Sequence, residues 1–118
     1  MLEQPTRYIL LQRGNLLVAF LSMQLVDEEG GFVLYCYEVQ VDDSHQGQGL
    51  GKWLMDAFHL LAQHHRLART MLTCFSCNTR ALAFYKALGY ELDSTSPEPR
   101  RLRNKLMQPD YQILTRVC

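Results

Sequence analysis

The chain has 118 residues, of which 47% are hydrophobic and 20% charged, and its 12 basic residues balance its 12 acidic ones. This length suits one domain, spanning residues 1–118, with a single buried core. A formal net charge of zero argues against a general basic surface, so we expect no direct nucleic-acid partner. The longest apolar run covers residues 16–21, far short of the roughly 20 residues of a membrane helix, so we expect no membrane partner either.

Three strands are predicted in the first half of the chain. Apolar runs cover residues 8–11, 16–26 and 32–41, and turn signals at Gly14-Asn15 and at residues 27–31 separate them. In the third run, period-two alternation predicts one face with Val33, Tyr35, Tyr37, Val39 and Val41, and another with Leu34, Cys36, Glu38 and Gln40.

A change of period then predicts an amphipathic helix over residues 50–65. Its apolar stripe is expected to contain Leu50, Trp53, Leu54, Ala57 and Leu61. The three histidines of this segment, His59, His64 and His65, are expected to face solvent or to lie at the helix end. They lack the His-Glu-x-x-His spacing of a zinc protease.

The remaining chain alternates strands with one more helix. Residues 70–75 are predicted as a strand, and Asn78 as the N-cap of a second helix that Gly89 ends. Residues 90–92 and 111–117 are predicted as strands, and the basic segment 94–108 as a mobile loop. Three strands, a helix, a strand, a helix and two strands indicate an α/β fold with a partly parallel sheet.

Cysteine usage indicates reduced thiols. Cys74-x-x-Cys77 is the single close pair, and no second Cys pair or suitable His pair accompanies it. We therefore predict no metal site, while a thioredoxin-like redox motif stays an alternative. Because no secretory leader is evident, we expect a protein of the nucleus and cytoplasm, where thiols stay reduced.

The segment Gln46-Gly47-Gln48-Gly49-Leu50-Gly51-Lys52 lies between an apolar strand and the first helix. Its glycines let a ligand approach the backbone, and successive N–H groups with the helix start favour an anion. This arrangement predicts a phosphate or pyrophosphate cradle, although a glycine-rich turn without a ligand stays open. The segment matches neither the P-loop, because Trp53 follows Lys52, nor the dinucleotide fingerprint, which requires glycine at position 52 or 54.

Two motifs together resemble the GNAT superfamily of N-acetyltransferases. Gln46-x-x-Gly49-x-Gly51 is similar to its acetyl-CoA loop, and Asn78-x-x-Ala81-x-x-Phe84-Tyr85-x-x-Leu88-Gly89-Tyr90 to its later helix. The resemblance implies the GNAT fold, a mixed and partly parallel sheet with two main helices. It also implies acetyl-CoA as co-substrate and no metal.

The resemblance further implies which residues bind the coenzyme. The backbone of Val39, Gln40 and Val41 would bond the pantetheine arm. The pyrophosphate would lie on the backbone of Gly47, Gln48, Gly49, Leu50, Gly51 and Lys52. Asn78 would contact the coenzyme by its side chain, and Tyr85 would protonate the departing thiolate.

A narrower resemblance is to the NatD-type N-terminal acetyltransferases, which modify histone tails that begin Ser-Gly-Arg-Gly. Leu34-Tyr35-Cys36-Tyr37-Glu38-Val39-Gln40 carries it, together with Met71-Leu72-Thr73-x-Phe75, Asp93-x-x-Ser96-Pro97 and Tyr111-x-Ile113-Leu114. It implies Glu38 as general base with Tyr37 beside it, and a peptide groove that includes Tyr37, Thr73, Thr95 and Tyr111. Asp27 or Glu28 would hold the substrate arginine.

In that group the domain begins with a further strand and helices, which precede the strand that corresponds to residues 8–11 of this chain. We expect this chain to lack those first elements. The basic segment 100–105 also departs from the group. The implied protein is a monomer that acetylates protein N-terminal tails. The alternatives are an acetyltransferase for another amine and a non-catalytic acetyl-CoA-binding module.

Overall fold

A computed structural model of the chain describes residues 4–28 and 30–118. In chain order its elements are β1 (Arg7–Arg13), β2 (Leu16–Glu28), β3 (Gly31–Val41), α1 (Leu50–His64), β4 (Arg69–Phe75), α2 (Thr79–Ala87), β5 (Glu91–Leu92), β6 (Arg100–Leu102), β7 (Lys105–Met107) and β8 (Tyr111–Val117). The chain divides into two compact units, one up to Thr70 with Val117–Cys118, the other Met71–Arg116. Neither helix of these ranges is long and apolar enough to cross a membrane.

The first unit is built on an antiparallel β1-β2-β3 meander. Its first turn contains Gly14 at φ 61°, a left-handed conformation that an L side chain rarely adopts. The second turn joins Glu28 to Gly31 as predicted, although its residue Glu29 lies outside the described part of the chain. The three predicted strands of this half are therefore confirmed, each longer than its apolar run.

The predicted alternation in β3 is wrong beyond Cys36. Ser22 lies opposite Glu38, but its neighbour Met23 lies opposite Cys36, so Tyr37 is an extra residue in a β-bulge. A bulge exchanges the two faces of the strand for every residue that follows. Glu38 therefore shares a face with the earlier residue Tyr35, and Val39 and Val41 share the opposite face with Leu34 and Cys36.

Helix α1 packs against β2 and β3, but through a stripe that differs from the predicted one. Its buried residues are Leu54, Met55, Phe58, His59 and Ala62. Trp53, predicted to point inward, is 53% exposed, whereas His59, predicted to face solvent, is 3% exposed. The prediction placed His59 in solvent because histidine is polar. In the structure its Nδ1 atom lies 2.8 Å from Thr70 Oγ1, and this hydrogen bond allows the ring to be buried in the core.

The C-terminus of α1 is a Schellman motif. Arg66 N–H donates to Gln63 O at 3.0 Å, and Leu67 N–H donates to Ala62 O at 3.0 Å. This motif requires a left-handed residue at the first position after the C-cap, and Arg66 occupies that position at φ 57°. Glycine is the residue that most often occupies this position, so Arg66 carries backbone strain.

The second unit contains α2 and the strands β4, β8 and β5, which neighbour one another in that order. Its buried apolar residues are Met71, Leu72, Cys74, Leu82, Tyr90 and Leu114. The predicted N-cap is confirmed, because Asn78 Oδ1 accepts from Ala81 N–H at 3.2 Å. The chain turns away from the helix at Gly89, which has φ 101°.

The prediction of a loop over residues 94–108 is wrong for its second half. Strands β6 and β7 pair antiparallel as a separate two-stranded ribbon. Its register places Leu102 opposite Lys105, so Arg103 and Asn104 form a two-residue turn. Arg103 has φ 55°, the positive φ that a two-residue hairpin turn needs. The hairpin was not predicted because such turns usually contain Asn, Asp or Gly at this position and not Arg.

Candidate functional site

The segment from Gln46 to Lys52 forms an open backbone loop at the start of α1. Gly47 and Gly49 have φ of 79° and 78°, and a Cβ added at either one would meet no atom within 4 Å. Gly49 is the N-cap, and its carbonyl accepts the first helical bond, from Trp53 N–H at 3.0 Å. The N–H groups of Leu50, Gly51 and Lys52 therefore have no acceptor within the helix. The anion cradle itself stays a prediction, and these N–H groups with the open space beside Gly47 and Gly49 are the features on which it rests.

A short polar cluster holds this loop to the end of β3. Asp42 N–H donates to Val18 O at 2.8 Å, which ties the start of the loop to β2. The Asp42 carboxylate accepts from Ser44 Oγ, and its Oδ2 lies 3.0 Å from His45 Nδ1. Gln46 Nε2 donates to Val41 O and to Asp43 Oδ1. Gln46 thus ties the first residue of the loop to the end of β3 and to the segment that follows it.

Asp42, Ser44 and His45 do not form a hydrolase triad. Both Ser44 Oγ and Asp42 Oδ2 contact the same ring nitrogen of His45, Nδ1, whereas a triad uses the two nitrogens for different partners. The hydrogen bonds from Ser44 and then His45 lower the pKa of Asp42 below its usual value. Sequence reasoning missed this cluster, whose signal was a Ser and a His two and three residues after an Asp.

Glu38 opens into a cavity of about 390 Å³ between the ends of β2 and β3. Gln40, Val41, Asp42 and Asp43 line the same cavity, with Leu17, Val18, Ala19 and Phe20 opposite. Three of these side chains are carboxylates, so the cavity favours a cationic group such as a protonated amine. Of the predicted residues, Glu38, Gln40 and Val41 thus line one cavity with Asp42 and Asp43, which precede the glycine loop in the chain.

Tyr37, the bulge residue, is 57% exposed, and its ring centroid lies 5.1 Å from that of Tyr35. The bulge leaves its side chain outside the regular ladder and exposed to solvent, and its role in a peptide groove stays a prediction. Asp27 is exposed on β2, five residues beyond Ser22, the partner of Glu38. At about 3.4 Å per residue this is about 17 Å along the strand, so Asp27 is not brought beside Glu38.

In the second unit, Asn78 and Tyr85 both belong to α2 and its cap. The Asn78 carboxamide oxygen is occupied by the cap bond, so a coenzyme contact would use its amide nitrogen. Tyr85 is half-buried, with ring contacts to Phe84 at 5.2 Å and Tyr90 at 6.2 Å. The assigned roles of both residues stay predictions.

The predicted groove residues Thr73, Thr95 and Tyr111 are all exposed and lie on three different segments of the second unit. Thr95 is oriented by Asp93, whose Oδ2 accepts from Thr95 N–H at 2.9 Å and from its hydroxyl. Ser96 Oγ accepts from Ile113 N–H at 3.0 Å, and Asp93 N–H donates to Ile113 O. The motif Asp93-x-x-Ser96 therefore anchors the Thr95 segment to β8.

The thiols lack the environment of a redox motif. Burial raises the pKa of Cys36 to about 12, and burial followed by repulsion from Cys77 raises the pKa of Cys74. A thioredoxin-type nucleophile needs a lowered pKa.

Within residues 4–28 and 30–118, no group of three His, Cys, Asp or Glu side chains could hold a metal ion.

The sequence profile of the acetyltransferase (GNAT) family matches residues 1–90 of this chain. The chain belongs to the GNAT family. The match covers the bulged strand, the glycine loop and α2, whereas Thr95 and Tyr111 lie beyond it.

Sequence comparison relates this GNAT chain to N-alpha-acetyltransferase 40 of Saccharomyces cerevisiae, with 35% identity over 112 residues. The alignment covers 78% of this chain but 39% of the yeast protein, so the chain spans well under half the length of that relative.

Solved structures have the same fold at low identity. One is a GNAT acetyltransferase from Elizabethkingia anophelis with acetyl-CoA bound, at 18% identity and a TM-score of 0.75, covering 96% of this chain and 76% of that one. Another is Arabidopsis thaliana Naa50 with the bisubstrate analogue CoA-Ac-MVNAL, at 18% identity and a TM-score of 0.72, covering 94% of this chain and 72% of that one. The predicted fold class, an α/β GNAT fold with a mixed sheet and two helices, is thereby confirmed.

Proposed function

We propose that this chain carries the catalytic region of a protein N-alpha-acetyltransferase, which transfers the acetyl group of acetyl-CoA to the N-terminal amine of histone tails of the Ser-Gly-Arg-Gly type. The observation that carries the proposal is the 35% identity to the yeast N-alpha-acetyltransferase. The open glycine loop and the acidic cavity support it from the chemistry of this chain's own residues. On this proposal the protein works in the nucleus and cytoplasm, where histones are present.

Coenzyme binding is supported by the shape of the loop. The space next to Gly47 and Gly49 is free, and the first N–H groups of α1 point out of the helix start. Each such N–H–anion interaction is worth about 0.3–1 kcal/mol when exposed. Acetyl-CoA would supply the activated thioester. Lys52 adds little, since its ammonium already pairs with Asp56 at 2.7 Å.

The acidic cavity supports an amine as the acceptor. An N-terminal amine has a pKa near 7.7–8.0, so roughly a tenth of it is neutral at pH 7 without enzyme assistance. Glu38 lies in the cavity wall, where a carboxylate attracts the protonated amine and accepts its proton directly or through a water. The neutral amine attacks the thioester carbonyl, and the carbon–sulfur bond then breaks. On this proposal Tyr85 protonates the departing thiolate, while the nitrogen loses its remaining proton to solvent, from which Tyr85 is reprotonated. No covalent enzyme intermediate is needed.

Two other functions are alternatives to histone-tail acetylation. One is an acetyltransferase of the same fold for another protein N-terminus or a small amine. The other is a non-catalytic acetyl-CoA-binding module, which has to be considered because the chain spans 39% of its yeast relative.

An acetyl-transfer assay on a matched panel of acceptors separates these functions. The panel contains a Ser-Gly-Arg-Gly peptide, its N-terminally blocked form with a free Lys, peptides with other first residues, and a polyamine. We expect transfer only to the free Ser-Gly-Arg-Gly terminus. Equal transfer to other termini would refute the histone specificity. Thermal stabilisation by coenzyme A without transfer to any acceptor would support the binding module.

A further inference from the structure

The β6–β7 ribbon carries a dense, uncompensated positive charge. Four of its six residues from 100 to 105 are cationic, namely Arg100, Arg101, Arg103 and Lys105, and all are exposed. From Pro99 to Pro109 the sequence contains no acidic residue. The charge therefore has no counterpart within the ribbon itself.

Each face of the ribbon combines this charge with exposed aliphatic side chains. The register pairs Arg100 with Met107 and Leu102 with Lys105, which places these four residues on one face. Arg101 and Leu106 form a pair on the opposite face. Leu102, Leu106 and Met107 are 59%, 59% and 48% exposed. A partner that covered these side chains would bury apolar surface as well as neutralise charge.

The ribbon also presents free strand edges. Its sheet contains two strands, so both β6 and β7 are edge strands in the part of the chain that the structure describes. Each edge carries backbone N–H and C=O groups available for pairing. A two-stranded ribbon is marginally stable alone, and a third strand would stabilise it.

We propose that the β6–β7 ribbon binds an extended protein segment in which two acidic residues alternate with two aliphatic ones, and which adds to it as a third strand. The side chains of an added strand point alternately to the two faces of a sheet. Its acidic residues would therefore meet Arg101 on one face and Arg100 or Lys105 on the other, and its aliphatic residues would cover Leu106 and Leu102. This interaction goes beyond the proposed acetyl transfer.

Other polyanions fit the ribbon less well. A nucleic acid would neutralise the cations but leave the aliphatic residues uncovered, and residues 99–109 contain no aromatic side chain for a base to stack on. An anionic lipid surface would contact one face of the ribbon and leave the aliphatic side chain of the opposite face uncovered.

The test uses the full chain and a fluorescent peptide that alternates Glu-Glu with Val-Val or Leu-Leu, followed by anisotropy. We expect saturable binding that the double variant Arg101→Glu with Lys105→Glu weakens at least about tenfold. A peptide with Lys in place of Glu should bind this variant and not the original chain. The matched control is Arg7→Glu with Arg13→Glu, two exposed cations of β1, which should leave binding unchanged.

Backbone pairing is tested with two peptides N-methylated at alternate residues. We expect one of them to lose binding and the other to retain it, because one edge of an added strand faces the ribbon. Equal binding of both methylated peptides, or binding of duplex RNA or phosphatidylserine vesicles but not of the peptide, would overturn the proposal.

Discussion

Glu38 lies directly opposite Ser22, whereas unbroken pairing from Cys36 and Met23 would have placed Tyr37 there. The extra residue moves Glu38 to the other face of β3, together with Gln40. Both then contribute to the cavity beside the glycine loop. The orientation of the proposed base thus depends on one irregularity in the strand that precedes the glycine loop.

The Glu38→Gln variant tests the base. It keeps the size of the side chain but removes its ability to accept a proton, so we expect kcat to fall about 10²–10⁴-fold with acetyl-CoA affinity nearly unchanged. Turnover is measured by coenzyme A release and affinity by calorimetry. The control is Glu91→Gln, an exposed change on β5 in the other unit. Unchanged turnover in Glu38→Gln would remove this residue from the mechanism.

The Gly49→Ala variant tests the cradle, and Gly14→Ala is its matched control. Both glycines have positive φ, 78° and 61°, and neither added Cβ meets an atom within 4 Å. Each alanine should cost about 1–2 kcal/mol of unfolding free energy from backbone strain alone. Only Gly49→Ala should also weaken binding of acetyl-CoA, because its methyl group occupies the ligand's approach. Equal coenzyme affinity of the two variants in calorimetry would contradict the proposed cradle.

Replacing Arg66 by glycine should stabilise the protein. Arg66 adopts φ 57° inside the Schellman motif of α1, and glycine removes about 1–2 kcal/mol of strain. The greater freedom of glycine in the unfolded chain offsets about 0.5–1 kcal/mol of this, so the net gain should be a few tenths to about 1 kcal/mol. Urea unfolding provides the measurement. Gln63→Gly, on the same helix, should instead destabilise by about 1 kcal/mol, and a loss of stability in both would refute the strain at Arg66.

Thiol reactivity should follow burial. Cys36 and Cys74 are buried with raised pKa values, whereas Cys77 and Cys118 are exposed. At pH 8 an alkylating reagent should therefore modify Cys77 and Cys118 in the folded protein and all four cysteines after unfolding. Mass spectrometry of the peptides identifies the sites. Rapid modification of Cys36 in the folded state would contradict its burial.

Local sequence patterns predicted the regular elements well, because each depends on interactions between residues close in the chain. Asn78 accepts a bond from Ala81, three residues away, and Gly49 and Gly89 have the left-handed φ that only glycine adopts readily. The bulge at Tyr37 escaped prediction, because nothing in the alternation of β3 itself shows which residue of β2 each position will face. The ribbon escaped it because Arg103 is a rare residue for a left-handed turn position.

The sequence by itself determined the order of the strands and helices other than β6 and β7, the glycine loop before α1 and the membership of a family, since these reside in local composition and spacing. Tertiary structure alone decided that His59 is a core residue bonded to Thr70, that Glu38 shares a cavity with Asp42, and that the basic segment is a paired ribbon. Each of these depends on a partner distant in the chain, and whether a polar side chain is buried or exposed is set by that partner.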